Sequence, residues 1–455
     1  MKKINLTNGK VSTTILHLAL PIMGTSFLQM AYNLVDMIWI GKLGSKSVAA
    51  VGTAGFYLWL SMSLIRLAQT GTEVNVSQSI GAKKYKNANM YSNMALRMSL
   101  VLAIIYALIL LIFNKDLIGF FNINDTLVNT KARNYLMIIS IGIVSSFINP
   151  IISSIYNGSG NSKTPFKINS IGLVLNIVLD PIFIFVFNLG VSGAAIATVI
   201  SQVIVSIIMI RSLFIKKIPF GGFAFERKVS KEYFYKIFKI GFPVSLQSAS
   251  FTVFAMFIAK VVASFGPSAI AAQKVGTQVE ALSYMTATGF SVALSTFTGQ
   301  NFGAKMYDRV RSGIKFSAKI MAGYGIVISL VLFLFAKYVF MIFINEEPTL
   351  SIGTIYLQII AISQLFMCLE ITLSGAFNGL GKTITPAVIS IVFTGLRVPF
   401  AYILSRSNLL GIQGIWWTIT MSSVIKGTLL VIFMIMMYKK INENYFFKGG
   451  RINAK

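Results

Sequence analysis

Gln78-Ser79-Ile80-Gly81-Ala82-Lys83-Lys84-Tyr85 returns 222 residues further on as Gln300-Asn301-Phe302-Gly303-Ala304-Lys305-Met306-Tyr307. The same offset carries Pro21 onto Pro243, Gly44 onto Gly266 and Ala49-Ala50 onto Ala271-Ala272. After a slip of one residue the match resumes at 221: Asn157-Gly158 falls on Asn378-Gly379, Gly160 on Gly381, Thr164-Pro165 on Thr385-Pro386, Leu189-Gly190 on Leu410-Gly411, and Gly193 on Gly414. The chain therefore reads as two copies of one plan, 1–210 and 240–438, joined by a basic linker at 211–239 and followed by a basic tail at 439–455.

Composition says what each copy is made of. The 455 residues are 55% hydrophobic and 12% charged, with a mean hydropathy of +0.75, well outside the range of soluble domains. Asp, Glu, Lys and Arg are missing altogether from 11–35, 47–65, 98–114, 134–162, 181–210, 240–259, 281–304, 348–369 and 407–425. A hydrocarbon core about 30 Å thick needs roughly 20 residues of helix, and several of these runs suffice alone. Apolar runs and turn signals together predict twelve membrane helices, at 15–40, 49–80, 90–113, 132–156, 165–187, 191–213, 240–264, 268–300, 312–336, 351–377, 384–404 and 412–438. β-barrel strands would alternate apolar and polar residues in segments of about ten, and these runs are continuous. The basic start leads straight into the first run without a small-residue cleavage site, so it reads as the first helix and not as a signal peptide.

The net charge of +27 would suggest a polyanionic partner in a soluble protein. Here its placement reads as topology. With the amino terminus inside, 27 Lys and Arg fall on the inner side and seven on the outer, which predicts a multi-pass protein of the cytoplasmic membrane with both termini in the cytoplasm. The inner excess also favours anionic lipid, and nucleic-acid binding is not expected. Six spans per copy is an even number, so both copies enter the bilayer from one side. That is the parallel-repeat transporter plan, with substrate sites near the midplane. A single cysteine, Cys368, excludes an internal disulfide, and the single histidine, His17, excludes a histidine-rich metal site. No Walker loop, paired-histidine motif or catalytic domain is present, so neither an enzyme nor a resident cofactor is expected, and the chain is expected to act as a monomer.

The repeated segments resemble the MATE (multidrug and toxic compound extrusion) family over nearly the whole chain. The residues that carry the resemblance are Leu20-Pro21 with Gln29, Tyr32-Asn33, Asp36 and Gly41; Gly81-Ala82-Lys83; Asn157-Gly158 with Gly160 and Thr164-Pro165; Leu179-Asp180-Pro181; the stretch from Val279-Glu280 to Gly303-Ala304; and Gly379 through Thr383. The resemblance implies an all-α polytopic membrane protein whose twelve helices form two pseudo-symmetric six-helix lobes in a V. It further implies a secondary antiporter exporting small organic cations or amphipathic drugs in exchange for Na+ or H+.

Five acids lie at membrane depth: Asp36, Glu73, Asp180, Glu280 and Glu370. An ionised carboxylate there is costly unless it is paired, solvated or protonated, so each is a site candidate, with pairing to a nearby base as the plain alternative. Gln29, Tyr32, Asn33 and Asp36 follow the spacing i, i+3, i+4, i+7 and predict one polar stripe on the first helix. Asn176 and Asp180 are one turn apart on the fifth, just before Pro181, while Asn149 on the fourth and Thr198 on the sixth add oxygens in the same half. This hard-oxygen set suits an alkali cation better than a transition metal. The resemblance supports a cation site made of Asp36, Asn149, Asn176, Asp180 and Thr198, with Na+ at Asp36, Asn176 and Asp180. A structural polar network is the alternative, and protonation of the same carboxyl pair is another.

Gln29, Tyr32, Asn33, Glu280 and Glu370 are the candidates for the substrate cavity. Glu280 either attracts a cationic drug or pairs with Lys274, and Glu73 reads as part of a structural network with Arg66 and Gln69. The second copy departs from the first, since Asp36 corresponds to Ile258 and the Asp180 region to Arg397-Val398-Pro399, so ion coupling is expected to be asymmetric. The competing reading is a flippase for a lipid-linked saccharide or similar amphiphile, for which Lys260, Arg397 and Lys426 would supply the cavity charge.

Overall fold

The computed structural model describes residues 6–121, 123, 125–215, 223–226, 228–406 and 408–440. Part of the linker and nearly all of the predicted basic tail at 439–455 lie outside the described residues. Among the described residues there is no strand. Helices run in the order α1 (Val11–Gly41), α2 (Ser45–Gly81), α3 (Tyr85–Ile112), α4 (Asn114–Gly119), α5 (Thr126–Gly158), α6 (Lys163–Pro181), α7 (Gly190–Ile215), α8 (Lys231–Ala263), α9 (Pro267–Gly303), α10 (Tyr307–Leu334), α11 (Ala336–Met341), α12 (Thr349–Gly379), α13 (Ile384–Gly395), α14 (Arg397–Leu404) and α15 (Ile412–Lys440). Among the described residues, eleven helices are long and apolar enough to cross a membrane. The predicted eighth span, α9, is not among them, because Gln273, Lys274, Gln278 and Glu280 interrupt its first half and serines and threonines its second.

The elements match the twelve predicted spans, with four local differences. Two six-residue helices, α4 and α11, follow directly on the C-terminal ends of α3 and α10. The first is fixed in place by Tyr57, whose hydroxyl donates to the Leu117 carbonyl at 2.6 Å. The eleventh span is broken at Leu396 into α13 and α14, three residues before Pro399, whose ring cannot donate to the preceding turn. Proline acts similarly at the end of α6, where the winding after Pro181 widens to a π-helical turn over Ile182–Val186. Finally, α8 begins at Lys231 rather than 240. Charged residues hid its first turns from a hydropathy reading, but Ile237 is fully buried and Lys236 pairs with Glu232 one turn away.

The described chain groups into two compact units, one made of His17–Ser245 and the other of Leu6–Leu16 with the residues from Leu246 onward. In the first unit α5 is the hub, packing on α2, α3 and α7; in the second α12 has the same place among α9, α10 and α15. Lipid is as apolar as leucine, so close packing rather than hydrophobic burial must hold such helices together. Glycine permits it at matched places. A Cβ on Gly193 would lie 2.4 Å from the Phe183 carbonyl oxygen, and one on Gly414 would lie 2.2 Å from that of Leu404, each pair 221 residues from the other.

The turns repeat as faithfully. Gly44 and Gly266, at the starts of α2 and α9, have φ of 91° and 92°; Lys83 and Lys305 have 58° and 61°; Gly190 and Gly411 have 54° and 55°. Positive φ near 90° is open to glycine and strained for other residues, which explains why this residue recurs at 44 and 266. The outward surface is apolar, with Ile112, Ile141 and Val186 each more than two-thirds exposed, as a lipid-facing helix requires.

Candidate cation site

Asp36 lies in the last quarter of α1, and the last two turns of α6 bring Asn176 and Asp180 to it. The Asp36 carboxyl lies against Asp180 and Asn176. Thr198 on α7 donates its hydroxyl to Asp36 Oδ2 at 3.3 Å, and Asn176 Nδ2 donates to Asp180 Oδ1 at 3.0 Å. Asn176 and Asp180 are wholly buried. Asp36 Oδ1, Asn176 Oδ1 and Asp180 Oδ2 remain buried without a hydrogen-bond partner. Among the described residues no lysine, arginine or histidine pairs with either carboxyl. Two carboxylates in contact at membrane depth repel one another unless a cation or a proton joins them. Three unpaired oxygens and a hydroxyl form a hard-oxygen set at this point.

One predicted member and one predicted pattern differ from expectation. Asn149 does not touch the carboxyl pair: its amide nitrogen donates to the main-chain and side-chain oxygens of Gln202 at 3.1 and 3.0 Å, and its oxygen accepts from Ser206 at 2.7 Å. It is linked to the site through two residues, since Gln202 lies beside Tyr32, which lies beside Asp36. The predicted stripe on α1 also divides. Tyr32 is buried and Asp36 half-buried, whereas Gln29 and Asn33 are exposed. At about 100° per residue, Tyr32 and Asn33 fall at opposite edges of the stripe, so one side meets α7 and the other does not.

The sequence reading missed Tyr135 on α5 and Ser201 with Gln202 on α7. Tyr135 is buried within electrostatic reach of Asp36, Asp180 and Tyr32. Ser201 neighbours Tyr32 and keeps a buried hydroxyl without a partner. A tyrosine and a serine in apolar helices carry no signal of their own, but their repeat partners, Tyr356 and Ser422, also sit beside charged groups.

In the second unit the cavity candidates are held by their own unit. Glu280 on α9 is half-buried, accepts the Tyr356 hydroxyl and faces Arg397, while Lys274 is exposed. Glu370 on α12 forms a buried ion pair with Lys426 on α15 at 3.0 Å. Arg397 donates through Nε to Ser422 at 2.6 Å and through Nη2 to Ser423 at 2.9 Å. Glu73 is buried on α2. Among the described residues no cluster of three or more His, Cys, Asp and Glu is arranged around a metal position.

The MatE family model matches residues 21–182 and 243–403, two stretches that begin at the repeated Pro21 and Pro243. The probable multidrug resistance protein NorM of Thermotoga maritima is 26% identical over 94% of this chain and 92% of its own length. The multidrug export protein MepA of Staphylococcus saprophyticus is 25% identical over 92% of this chain and 93% of its own. A solved structure described as the outward-facing conformation of a multidrug resistance MATE family transporter of the MOP superfamily shares the fold, with a TM-score of 0.91 at 24% identity over 98% of this chain and 99% of that one. With a long stretch of each copy matched by the family model, together more than half of the chain, the chain belongs to the MatE family, the multidrug and toxic compound extrusion transporters that its repeated segments resemble.

Proposed function

We propose that this protein is a secondary antiporter that exports small cationic or amphipathic molecules in exchange for Na+ or H+, with the inward ion bound between Asp36 and Asp180. The observation that carries the reading is the contact of the half-buried Asp36 carboxyl with the buried Asp180 carboxyl, with no basic partner among the described residues and with the unpaired oxygens of Asp36, Asn176 and Asp180 around them. A site of that kind is stable with a cation or a proton in it and strained without one, so its occupancy biases whichever arrangement of α1, α6 and α7 closes around the ion. Each ligand then acts only through its differential affinity for the two arrangements. The names of NorM and MepA support the drug-like cargo. The excess of Lys and Arg on the inner side supports termini in the cytoplasm.

The flippase reading gains little. Arg397 and Lys426, which would have to receive an anionic head group, are turned to acids of their own unit, and Lys260 is exposed. The test is reconstitution in liposomes with a fluorescent cationic dye, imposing a sodium gradient and a pH gradient in turn. Dye movement driven by one of them, and lost in Asp36→Asn, is the expected result; movement indifferent to both gradients would sink antiport.

A further inference from the structure

The two copies treat equivalent positions in opposite ways. At an offset of 221, Tyr135 falls on Tyr356, Asn149 on Glu370, Asn176 on Arg397, and Ser201-Gln202 on Ser422-Ser423. The framework is retained: both tyrosines are buried on the hub helices α5 and α12, and each stands beside carboxyl groups. Charge is what differs. In the first unit the neutral amide of Asn176 meets Asp36 and Asp180. In the second, the Arg397 guanidinium takes that repeat position, anchored on Ser422 and Ser423 within electrostatic reach of Glu280 and Glu370. Lys426 adds a second positive charge, 3.0 Å from Glu370 and buried with it. Among the described residues, two acids therefore meet two bases in the second unit, while Asp36 and Asp180 meet none in the first.

A carboxylate at membrane depth has to be neutralised, and a bound ion and a basic side chain do this with different consequences. The ion can leave; the side chain cannot. We propose that Arg397, with Lys426 beside it, is a tethered counter-cation that takes in the second unit the electrostatic role a mobile Na+ or proton has in the first, so that ion exchange is confined to the first unit. Arg397 thereby sets how many ions move per transport cycle. The inference rests on the reading of Asp36 and Asp180 as the ion site. It predicts that giving position 397 the first copy's residue, asparagine, creates an ion requirement in the second unit, where Glu280 would lose its neighbouring charge.

The test uses the purified full-length protein and follows its thermal unfolding midpoint as NaCl replaces choline chloride and, separately, as pH falls; the two arms separate Na+ from H+. A ligand that binds only the folded state raises the midpoint with its concentration. The expected pattern is a cation-dependent rise in the unaltered protein, loss of that rise in D36N/D180N, its return in D36N/D180N/R397N, and renewed loss when Glu280→Gln is added. Arg397→Lys in the D36N/D180N background keeps the tethered charge and stays insensitive. A rise that survives in D36N/D180N and disappears with Glu280→Gln would overturn the proposal, because the second unit would already exchange ions with Arg397 in place. So would a folded D36N/D180N/R397N that gains no rise. If the triple variant does not fold, the comparison of D36N/D180N with and without Glu280→Gln still decides. No rise in the unaltered protein, or one indifferent to both D36N/D180N and Glu280→Gln, sinks the first-unit ion site and this inference with it.

Discussion

Asn176 donates its amide nitrogen to Asp180 Oδ1 at 3.0 Å, one turn along α6, and its own oxygen stays buried without a partner. The amide thus positions one carboxylate and offers an oxygen to whatever lies beside it. Asn176→Leu removes both roles, and Thr198→Val removes the hydroxyl on Asp36. A hydrogen bond to a charged group contributes about 1.5–3 kcal/mol, so each variant should raise the ion concentration for half-maximal transport by roughly 10- to 100-fold. Dye efflux from liposomes at graded sodium or pH checks this; an unchanged half-maximal concentration in both would remove these residues from the site.

The Glu370–Lys426 pair makes a contrasting prediction about stability. Lys426→Met takes its ion-pair partner from a buried carboxylate, a loss that typically costs about 3–5 kcal/mol, and should lower the unfolding midpoint markedly. Combining it with Glu370→Gln should recover most of the loss, because the pair's attraction and its desolvation largely offset. Thermal unfolding of the two variants side by side measures the recovery.

Gly193→Ala and Gly414→Ala should fail alike. Each new methyl would sit within 2.5 Å of a carbonyl oxygen, at Phe183 and Leu404 respectively, so the backbone must shift. Overpacking of this kind costs about 1–3 kcal/mol. Similar losses of stability at both sites would show that the copies share the energetics of this turn as well as its shape.

Arg309 donates to the carbonyls of Leu6, Asn8 and Gly9, and Asn301 donates to Leu6 as well. The planar fork that reaches several acceptors at once is specific to arginine, so Arg309→Lys should release the segment almost as fully as Arg309→Ala. Limited proteolysis near Asn8 should speed up in both variants; equal resistance of the lysine variant would mean a single bond suffices.

At the start of α5, the Lys46 ammonium 2.8 Å from Asp125, followed by the amide groups of Val128 and Leu127, holds the Asp125 carboxyl below its usual range. A carboxyl depressed in the folded state stabilises above its unfolded value and ceases to do so as pH falls through the folded one. The amides of Leu127 and Val128 should therefore exchange hydrogen faster below the ordinary carboxylate range. In Asp125→Asn, which caps the helix without a charge, that acid dependence should disappear.

Much of this architecture was legible because membrane helices announce themselves by length and hydropathy, and because the repeat fixes their pairing. α4 and α11 escaped notice since six residues carry too little periodicity, and the first turns of α8 because Lys231, Glu232, Lys236 and Lys239 interrupt its apolar face. For the site, spacing along one helix grouped Asn176 with Asp180 correctly. It could not say that Asn149 gives its amide to Gln202, nor that Asn33 and Tyr32 part company, because those outcomes depend on which neighbour each face meets.

The assignment of Leu6–Leu16 to the unit built from Leu246 onward bears on how the chain is made. The ribosome delivers that segment well ahead of the residues it packs with, which emerge only after the first copy is complete, so it has to wait in the nascent protein. Conversely, the opening half lacks its full complement until Ser245 has been synthesised. Biogenesis is thus interleaved rather than sequential, and cutting the gene between the two repeats, at the linker, would give two fragments that each lack a piece carried by the other.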